Sequence, residues 1–258
     1  MTRMKIVLIG AGRLATCLGR ALLQADHEVT GVLSRSDSSA SALGSLLHTS
    51  WYTRVGDMPQ DADLYILSVT DDAVPAVAAS LPSLPQALVV HTAGSLSLDV
   101  FKGTSVEHGG IFYPMQTFSK EAVPDFSSIP CFIETVLPDD LKRLECFAGT
   151  LSRRVFPLSS EKRRFLHLAA VFASNFSNHC YAVAERLLSE NGIPFDVMLP
   201  LIDQTACKVH SVSPLAGQTG PAARNDTTVM KAQEKLLESH PEWQEIYRLM
   251  SRDIQKGQ

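Results

Sequence analysis

The chain has 258 residues, 45% of them hydrophobic and 19% charged, with a formal net charge of −4. That length holds one large domain or two modest ones, and the composition is that of a globular chain with a sizeable core. No basic run or stripe stands out, which argues against a nucleic-acid partner. The five cysteines, Cys17, Cys131, Cys146, Cys180 and Cys207, form no CxxC pair and no metal-ligand spacing with histidine. Such an odd, scattered set reads as reduced thiols packed as small hydrophobes in a cytoplasmic protein.

In chain order, Lys5–Ile9 is a short apolar run rich in β-branched residues, as a buried parallel strand is. Its apolar part, Ile6–Ile9, is far shorter than the roughly 7–15 residues of a signal-peptide core and runs straight into glycines. Arg13–Gln24 has helical spacing through Leu14, Leu18, Ala21 and Leu22, and Glu28–Leu33 reads as a second strand. The Ser/Ala-rich stretch 34–45 reads as a loop running into a short helix. Strands are expected at 64–69, 87–91 and 131–136, with a strand-like segment at 110–112. A helix at 71–80 is opened and capped by Asp71 and Asp72. Strands alternating with helices predict a parallel sheet covered on both faces.

The character changes near Leu158-Ser159-Ser160, beyond which everything reads as helical. Ser160 is the expected cap of a helix over 161–190 that ends at Asn191-Gly192. Further helices are expected at 195–209 and after Asp226 and Pro241. The fold class is therefore α/β, an N-terminal doubly wound Rossmann domain (residues 1–157) followed by a smaller all-α domain (158–258). The longest apolar stretch, 166–183, is broken by Ser174, Asn175, Ser177, Asn178 and His179, so no membrane span is expected.

Strand, then Gly10-Ala11-Gly12-Arg13-Leu14-Ala15, then helix is the dinucleotide fingerprint in its structural context. Gly10 permits the tight turn, Gly12 lets the backbone approach a pyrophosphate, and Ala15 lets helix pack on strand. Backbone N–H groups of the helix then face the phosphates. A fold that binds S-adenosylmethionine also uses a glycine-rich first turn and is the main rival. The tip of the second strand bears on the choice of cofactor. An NAD site places an acid about 20 residues after the motif, on the ribose 2′-OH. Here the tip is Ser34-Arg35-Ser36, with no acid before Asp37. A guanidinium there suits a 2′-phosphate, and Arg13 can add a second positive charge, so NADP is the expected cofactor. The alternative is that Arg35 only solvates a loop. Ser68-Val69 and Thr92-Ala93-Gly94, at two further strand ends, complete the expected cofactor-binding set.

Five pieces spread over nearly the whole chain carry a family likeness. They are the glycine turn, Ser34-Arg35-Ser36, His91-Thr92-Ala93-Gly94, Tyr113-Pro114-Met115-Gln116-Thr117-Phe118 and Gly220-Pro221-Ala222-Ala223-Arg224-Asn225-Asp226. In that order they resemble the Rossmann-like proteins with a C-terminal helical domain of unknown function that are labelled candidate NADP oxidoreductases. More distantly, the chain is similar to pyrroline-5-carboxylate reductase, prephenate dehydrogenase and the β-hydroxyacid dehydrogenases. The resemblance implies a 6-phosphogluconate-dehydrogenase-like helical domain that pairs with a second subunit into a homodimer and completes the active site. It implies a chemistry class and no particular substrate. One departure matters: the β-hydroxyacid dehydrogenases carry a lysine, and an asparagine four residues later, on the first long helix. Here that helix has no lysine in its interior and offers His167, Asn175, Asn178 and His179 instead.

The helix over 161–190 is apolar on nearly every face, which predicts burial on several sides. A polar group inside it needs a partner or a ligand, since an unpaired buried one costs roughly 1–3 kcal/mol. Residues 167, 171, 175 and 179 fall on one slowly drifting stripe. His167, which can change protonation near neutral pH, is the expected proton donor, and Asn175 the residue that orients the substrate. Tyr113 and Gln116, at a strand end, and Arg224, able to fork onto a carboxylate, are the expected substrate-binding residues. Each has a purely structural alternative in core packing or ion pairing. Asp226 reads as a helix cap. No metal is expected, because the eight histidines never cluster with acids at ligand spacing. The expected function is an NADP-dependent oxidoreductase acting on a small carbonyl, imine or hydroxyacid. The alternatives are a non-catalytic dinucleotide-binding protein and a transferase with another nucleotide-like cofactor.

Overall fold

Strand and helix alternate from the start of the chain. The order is β1 (Lys5–Ile9), α1 (Arg13–Gln24), β2 (Glu28–Leu33), α2 (Asp37–Leu46), β3 (Trp51–Tyr52), β4 (Leu64–Leu67), α3 (Val74–Ser80) and β5 (Leu88–His91). Next come β6 (Gly109–Pro114), β7 (Cys131–Thr135), α4 (Pro138–Leu151) and β8 (Val155–Pro157). Then follow α5 (Ser160–Ala170), a π-helical stretch Val171–Phe176, α6 (Ser177–Glu190), α7 (Leu199–Lys208), α8 (Thr227–Leu236) and α9 (Pro241–Lys256). The computed structural model describes residues 3–119 and 124–257. The chain divides into two compact units, Met1–Ser174 and Asn175–Gln258.

One eight-stranded sheet, in the order β3-β2-β1-β4-β5-β6-β7-β8, organises the first unit. All its pairings are parallel except β6 with β7, which is antiparallel. Alternation along β1 explains why both faces carry helices. Ile6 and Leu8 point into a core built with Leu18 and Leu22 of α1, Leu43 of α2 and Phe147 of α4. Val7 and Ile9 point into the opposite core, with Val74 and Ala78 of α3. Burying each such Val, Leu or Ile contributes about 1.5–3 kcal/mol, so a strand apolar at every position is stable only when covered on both sides. Because β1 lies between β2 and β4, the strand order reverses there, and a crevice opens at the carboxyl ends of β1 and β4.

The structure also departs from the sequence-based expectations. It adds β3, α4 and β8, and it resolves the expected 71–80 helix into a 3₁₀ turn, Asp71–Ala73, leading into α3. Ser159, not Ser160, caps α5, its hydroxyl accepting the Lys162 N–H at 3.4 Å. Ser160 turns to Glu134 instead. The segment expected as one buried helix over 161–190 is interrupted by the π-helical stretch, and Arg163 is its only buried residue. Its apolar residues are therefore largely solvent-facing, Phe165 being 71% exposed. Of the cysteines, Cys17 and Cys131 are buried as expected, whereas Cys146, Cys180 and Cys207 are exposed free thiols. Asp226 caps α8 as expected, accepting the Val229 N–H at 3.1 Å. No helix among the described residues is long and apolar enough to cross a membrane.

Candidate functional site

The glycine turn sits at the crevice where the strand order reverses. Gly10 leaves β1 with φ +113° and donates its N–H to the Leu33 carbonyl at the end of β2, 2.7 Å away. A Cβ at this position would overlap the Ser68 carbonyl oxygen and lie 2.6 Å from the carbonyl carbon, so only glycine fits. At Gly12, the N-cap of α1, the same construction meets nothing within 4 Å. No side chain caps α1 and no acid occupies its first turn, so its leading N–H groups face open space. Ala15 is completely buried, where helix packs on strand. A small side chain at 15, a tight turn at 10 and an open approach at 12 are the features a bound pyrophosphate requires.

These residues open onto a cavity of about 990 Å³. Gly10 through Leu14 line it on one side, and Ser34, Arg35 and Ser36 line it beyond β2. Arg35 is exposed. Ser36 caps α2, its hydroxyl accepting the Ser39 N–H at 3.3 Å. Beyond β4 and β5 the lining continues through Ser68, Val69 and Thr92. The Thr92 hydroxyl donates to the Leu67 carbonyl at 3.2 Å and so ties the two strand ends together. The Ser68 hydroxyl is buried with no hydrogen-bond partner among the described residues, a polar group left for a ligand. Ala93 and Gly94, one and two residues beyond Thr92, are not among the residues that line this cavity.

At Gly94 the backbone approaches a pair of side chains. A Cβ there would stand 2.6 Å from His167 Nδ1 and 3.0 Å from Tyr113 Cζ. Tyr113 Oη and His167 Nδ1 are hydrogen-bonded at 3.0 Å, and the rings meet edge to face. Thus β6 presents the phenol, α5 the imidazole, and the glycine after β5 makes room for both. Burial pushes the Tyr113 phenol above its ordinary value, the Arg163 charge pulls it down in part, and Asp71 adds a smaller upward push. The phenol therefore stays protonated at neutral pH.

Arg163 lies one turn before His167 on the same face of α5 and is completely buried. It donates to Glu134 Oε2 at 2.9 Å, to the Leu96 carbonyl and to the Ser160 hydroxyl at 3.2 Å. Ser160 in turn donates to the same Glu134 oxygen at 2.5 Å. This network pins α5 to β7 and to the loop after β5, and so fixes where His167 stands. Nearby, the Ser95 hydroxyl donates to Asp71. Asp71 is thus a tie between the ends of β4 and β5, not the helix cap expected from sequence. Arg163 and Glu134 are functional residues that the sequence reasoning missed, whereas His91 heads one of the pieces that carry the family likeness.

Gln116 is exposed, and its Oε1 accepts the neighbouring Thr117 N–H at 2.8 Å. Asn175 and Arg224 belong to the second unit and are exposed there. Among the described residues no group of three or more His, Cys, Asp or Glu could hold a metal ion.

His91, at the end of β5, is fully buried. Its Nδ1 accepts the Ala93 N–H at 3.2 Å, so the neutral ring carries its proton on Nε2, which has no partner among the described residues. Burial, with the Arg163 charge second, pushes its pKa down from 6.5 to about 4. Between those values the unfolded chain binds a proton that the folded chain refuses, so stability rises with pH. The contribution is full above pH 6.5 and declines as pH falls towards 4. We expect a loss of about 2 kcal/mol between pH 7 and pH 5 from this group. Denaturant titration at both pH values measures it, and His91→Gln should flatten the dependence; an unchanged slope contradicts the assignment.

Residues 1–113 match a family model described as a Rossmann-like domain, and residues 129–254 match one described as a domain of unknown function, DUF2520. None of the curated proteins matches the chain. Among solved structures, a candidate NADP oxidoreductase from Bacteroides fragilis is 44% identical, with a TM-score of 0.91, over 98% of each chain. The 1-pyrroline-5-carboxylate reductase of Streptococcus pyogenes shares the fold at 17% identity and a TM-score of 0.65, over 98% of this chain and 99% of that one. An imine reductase from Myxococcus stipitatus, in complex with NADP+, does so at 15% identity and 0.67, over 98% and 93%. The identity to the Bacteroides protein, sustained from end to end, is family-level: this chain belongs to the family of that protein, a Rossmann-like domain followed by the domain of unknown function DUF2520.

Proposed function

We propose that the protein is an NADP(H)-dependent oxidoreductase that acts on a small carbonyl, imine or hydroxyacid. The observation that carries this reading is the open glycine turn at the β1–β4 crevice with a hydrogen-bonded Tyr113–His167 pair one strand end away. The candidate oxidoreductase label of the 44%-identical Bacteroides protein and the NADP+ bound by the imine reductase support it.

In this reading the N–H groups of Gly12, Arg13 and Leu14 hold the pyrophosphate, with the Arg13 guanidinium beside them. Ser34, Arg35 and Ser36 take the 2′-phosphate. Ser68, Val69, Thr92, Ala93 and Gly94 border the nicotinamide end. The nicotinamide supplies or accepts the hydride. The chain's own part is to orient the substrate and to handle one proton at the Tyr113–His167 pair. Gln116, Asn175 and Arg224 are proposed to contact substrate.

Residues 158–258 are assigned as the helical substrate and dimerisation domain. Large exposed apolar side chains support a homodimer: Phe165 and Leu168 on α5, and Val197, Leu201 and Leu215 in the second unit. The exposed free thiols suit the reducing cytoplasm, where we place the protein.

The cofactor choice is tested at Arg35. Loss of a forked, charge-assisted pair costs about 1.5–3 kcal/mol, so Arg35→Ala should weaken NADPH by about 10- to 100-fold and leave NADH within about twofold. An equal loss for both cofactors in calorimetric titrations would sink the 2′-phosphate assignment.

A further inference from the structure

The Tyr113–His167 pair can handle a proton in two ways, and the surrounding residues distinguish them. We infer that the Tyr113 hydroxyl, not the His167 imidazole, exchanges the proton with the substrate, that His167 reloads it, and that Arg163 steadies the phenolate in between. The inference rests on the oxidoreductase reading above and names the order of groups within its site.

Three observations support it. The two side chains are in direct hydrogen bond at 3.0 Å, so a proton can pass from Nδ1 to Oη without an intermediary. Both members of the pair lie against Gly94, a Cβ there standing 2.6 Å from His167 Nδ1 and 3.0 Å from Tyr113 Cζ, so the pair as a unit is at the strand end that borders the proposed nicotinamide position. The full burial of Arg163 keeps its charge poorly screened, and its field opposes the burial that otherwise holds the phenol neutral. Glu134 fixes that guanidinium at 2.9 Å on one side, and the Leu96 carbonyl and Ser160 hydroxyl hold it on another. Its position therefore does not depend on whether Tyr113 is charged. A preorganised cation whose field reaches a developing oxyanion stabilises charge without rearrangement.

The step balances in the reducing direction. The substrate carbon gains the hydride, and its oxygen or nitrogen takes the proton of Tyr113 as the phenol O–H bond breaks. The phenolate takes a proton from Nδ1 of protonated His167, and the imidazole recovers one from solvent. Oxidation runs the same transfers backwards. In this scheme Tyr113 is a catalytic residue, His167 its proton source and Arg163 a positioning residue.

Two readouts test the order. The first needs no substrate: the ultraviolet titration of the Tyr113 phenol, isolated from the other four tyrosines by subtracting Tyr113→Phe. Arg163→Met should raise its midpoint and Arg163→Lys should restore most of the difference. Because Arg163→Met can perturb folding, the paired Arg163→Met/Glu134→Gln variant is titrated alongside and should shift in the same direction. An unmoved midpoint in both overturns the role of Arg163.

The second readout is turnover of NADPH with a panel of cyclohexanone, 1-pyrroline and glyoxylate. Tyr113→Phe should lower kcat by about 10²- to 10⁴-fold with KM for NADPH nearly unchanged. His167→Gln should lose less, because water can reload the phenol. A larger loss in His167→Gln than in Tyr113→Phe overturns the order. If the wild type turns over none of the probes while the phenol midpoint shifts as expected, the oxidoreductase reading fails and the Arg163–Tyr113 coupling stands.

Discussion

Gly10→Ala is expected to destabilise the first unit and abolish NADPH binding together, whereas Gly12→Ala should fold normally and lose binding alone. At Gly10 the added methyl group meets the backbone carbonyl of Ser68, part of the strand end beyond β4 that cannot rotate away. The backbone there is also held at φ +113°, a conformation costing an alanine about 1–3 kcal/mol before any clash is counted. Relief requires the turn to move, which breaks the 2.7 Å bond from Gly10 N–H to Leu33 and displaces the leading N–H groups of α1. Losing two N–H bonds to a charged phosphate, at about 1.5–3 kcal/mol each, corresponds to at least a 100-fold loss of affinity. At Gly12 the backbone is extended, and apart from its immediate chain neighbours no atom of the described residues lies within 4 Å of a Cβ, so the fold has no objection to alanine. Only a ligand in that space would. Thermal melts and calorimetry on the two variants give the comparison; a Gly12→Ala protein that binds NADPH normally would remove the pyrophosphate from the glycine turn.

Arg163→Met should cost about 3 kcal/mol of stability, measured by denaturant titration. Removing one partner from a buried ion pair leaves the other's charge uncompensated, typically at 3–5 kcal/mol. The lower end applies because the Glu134 side chain keeps 20% of its exposure and still accepts from Ser160. The Leu96 carbonyl also loses a donor. Adding Glu134→Gln should recover part of the loss, since a neutral amide can still accept the Ser160 hydroxyl without a stranded charge. If Arg163→Met alone is within about 0.5 kcal/mol of wild type, the network does not dock α5, and the placement of His167 has another cause.

Local constraints are what made much of this readable in the sequence. The runs at β1, β2, β4 and β5 are short, apolar and β-branched because they are covered on both faces, and the structure keeps each within two residues of its expected range. The glycine turn is legible for the same reason, since its requirements act within six consecutive residues. By contrast β3 and β8, two and three residues long, are too short to carry a period. The α4 segment did carry signals, with Pro138 in its first turn, Asp139 and Asp140 beside it, and Leu144, Phe147, Ala148 and Leu151 buried along one side.

The second half of the site is long-range and therefore hidden. Tyr113 and His167 each stand out as chemistry-bearing residues, but they are 54 positions apart and nothing local announces their hydrogen bond. Arg163 reaches Glu134 across 29 positions and Leu96 across 67. Nothing local marks Arg163 as the buried residue of its helix until the strand that carries Glu134 is in place. The expected burial of the 161–190 segment failed because apolar periodicity marks a face as hydrophobic and does not say that other residues of the chain cover it.

The most direct measurement is a calorimetric titration of the wild-type protein with NADPH, with NADH and S-adenosylmethionine as parallel ligands. The account predicts saturable NADPH binding at one site per chain, tighter than NADH by about tenfold or more. Absence of NADPH binding, or saturable binding of S-adenosylmethionine in its place, would contradict it.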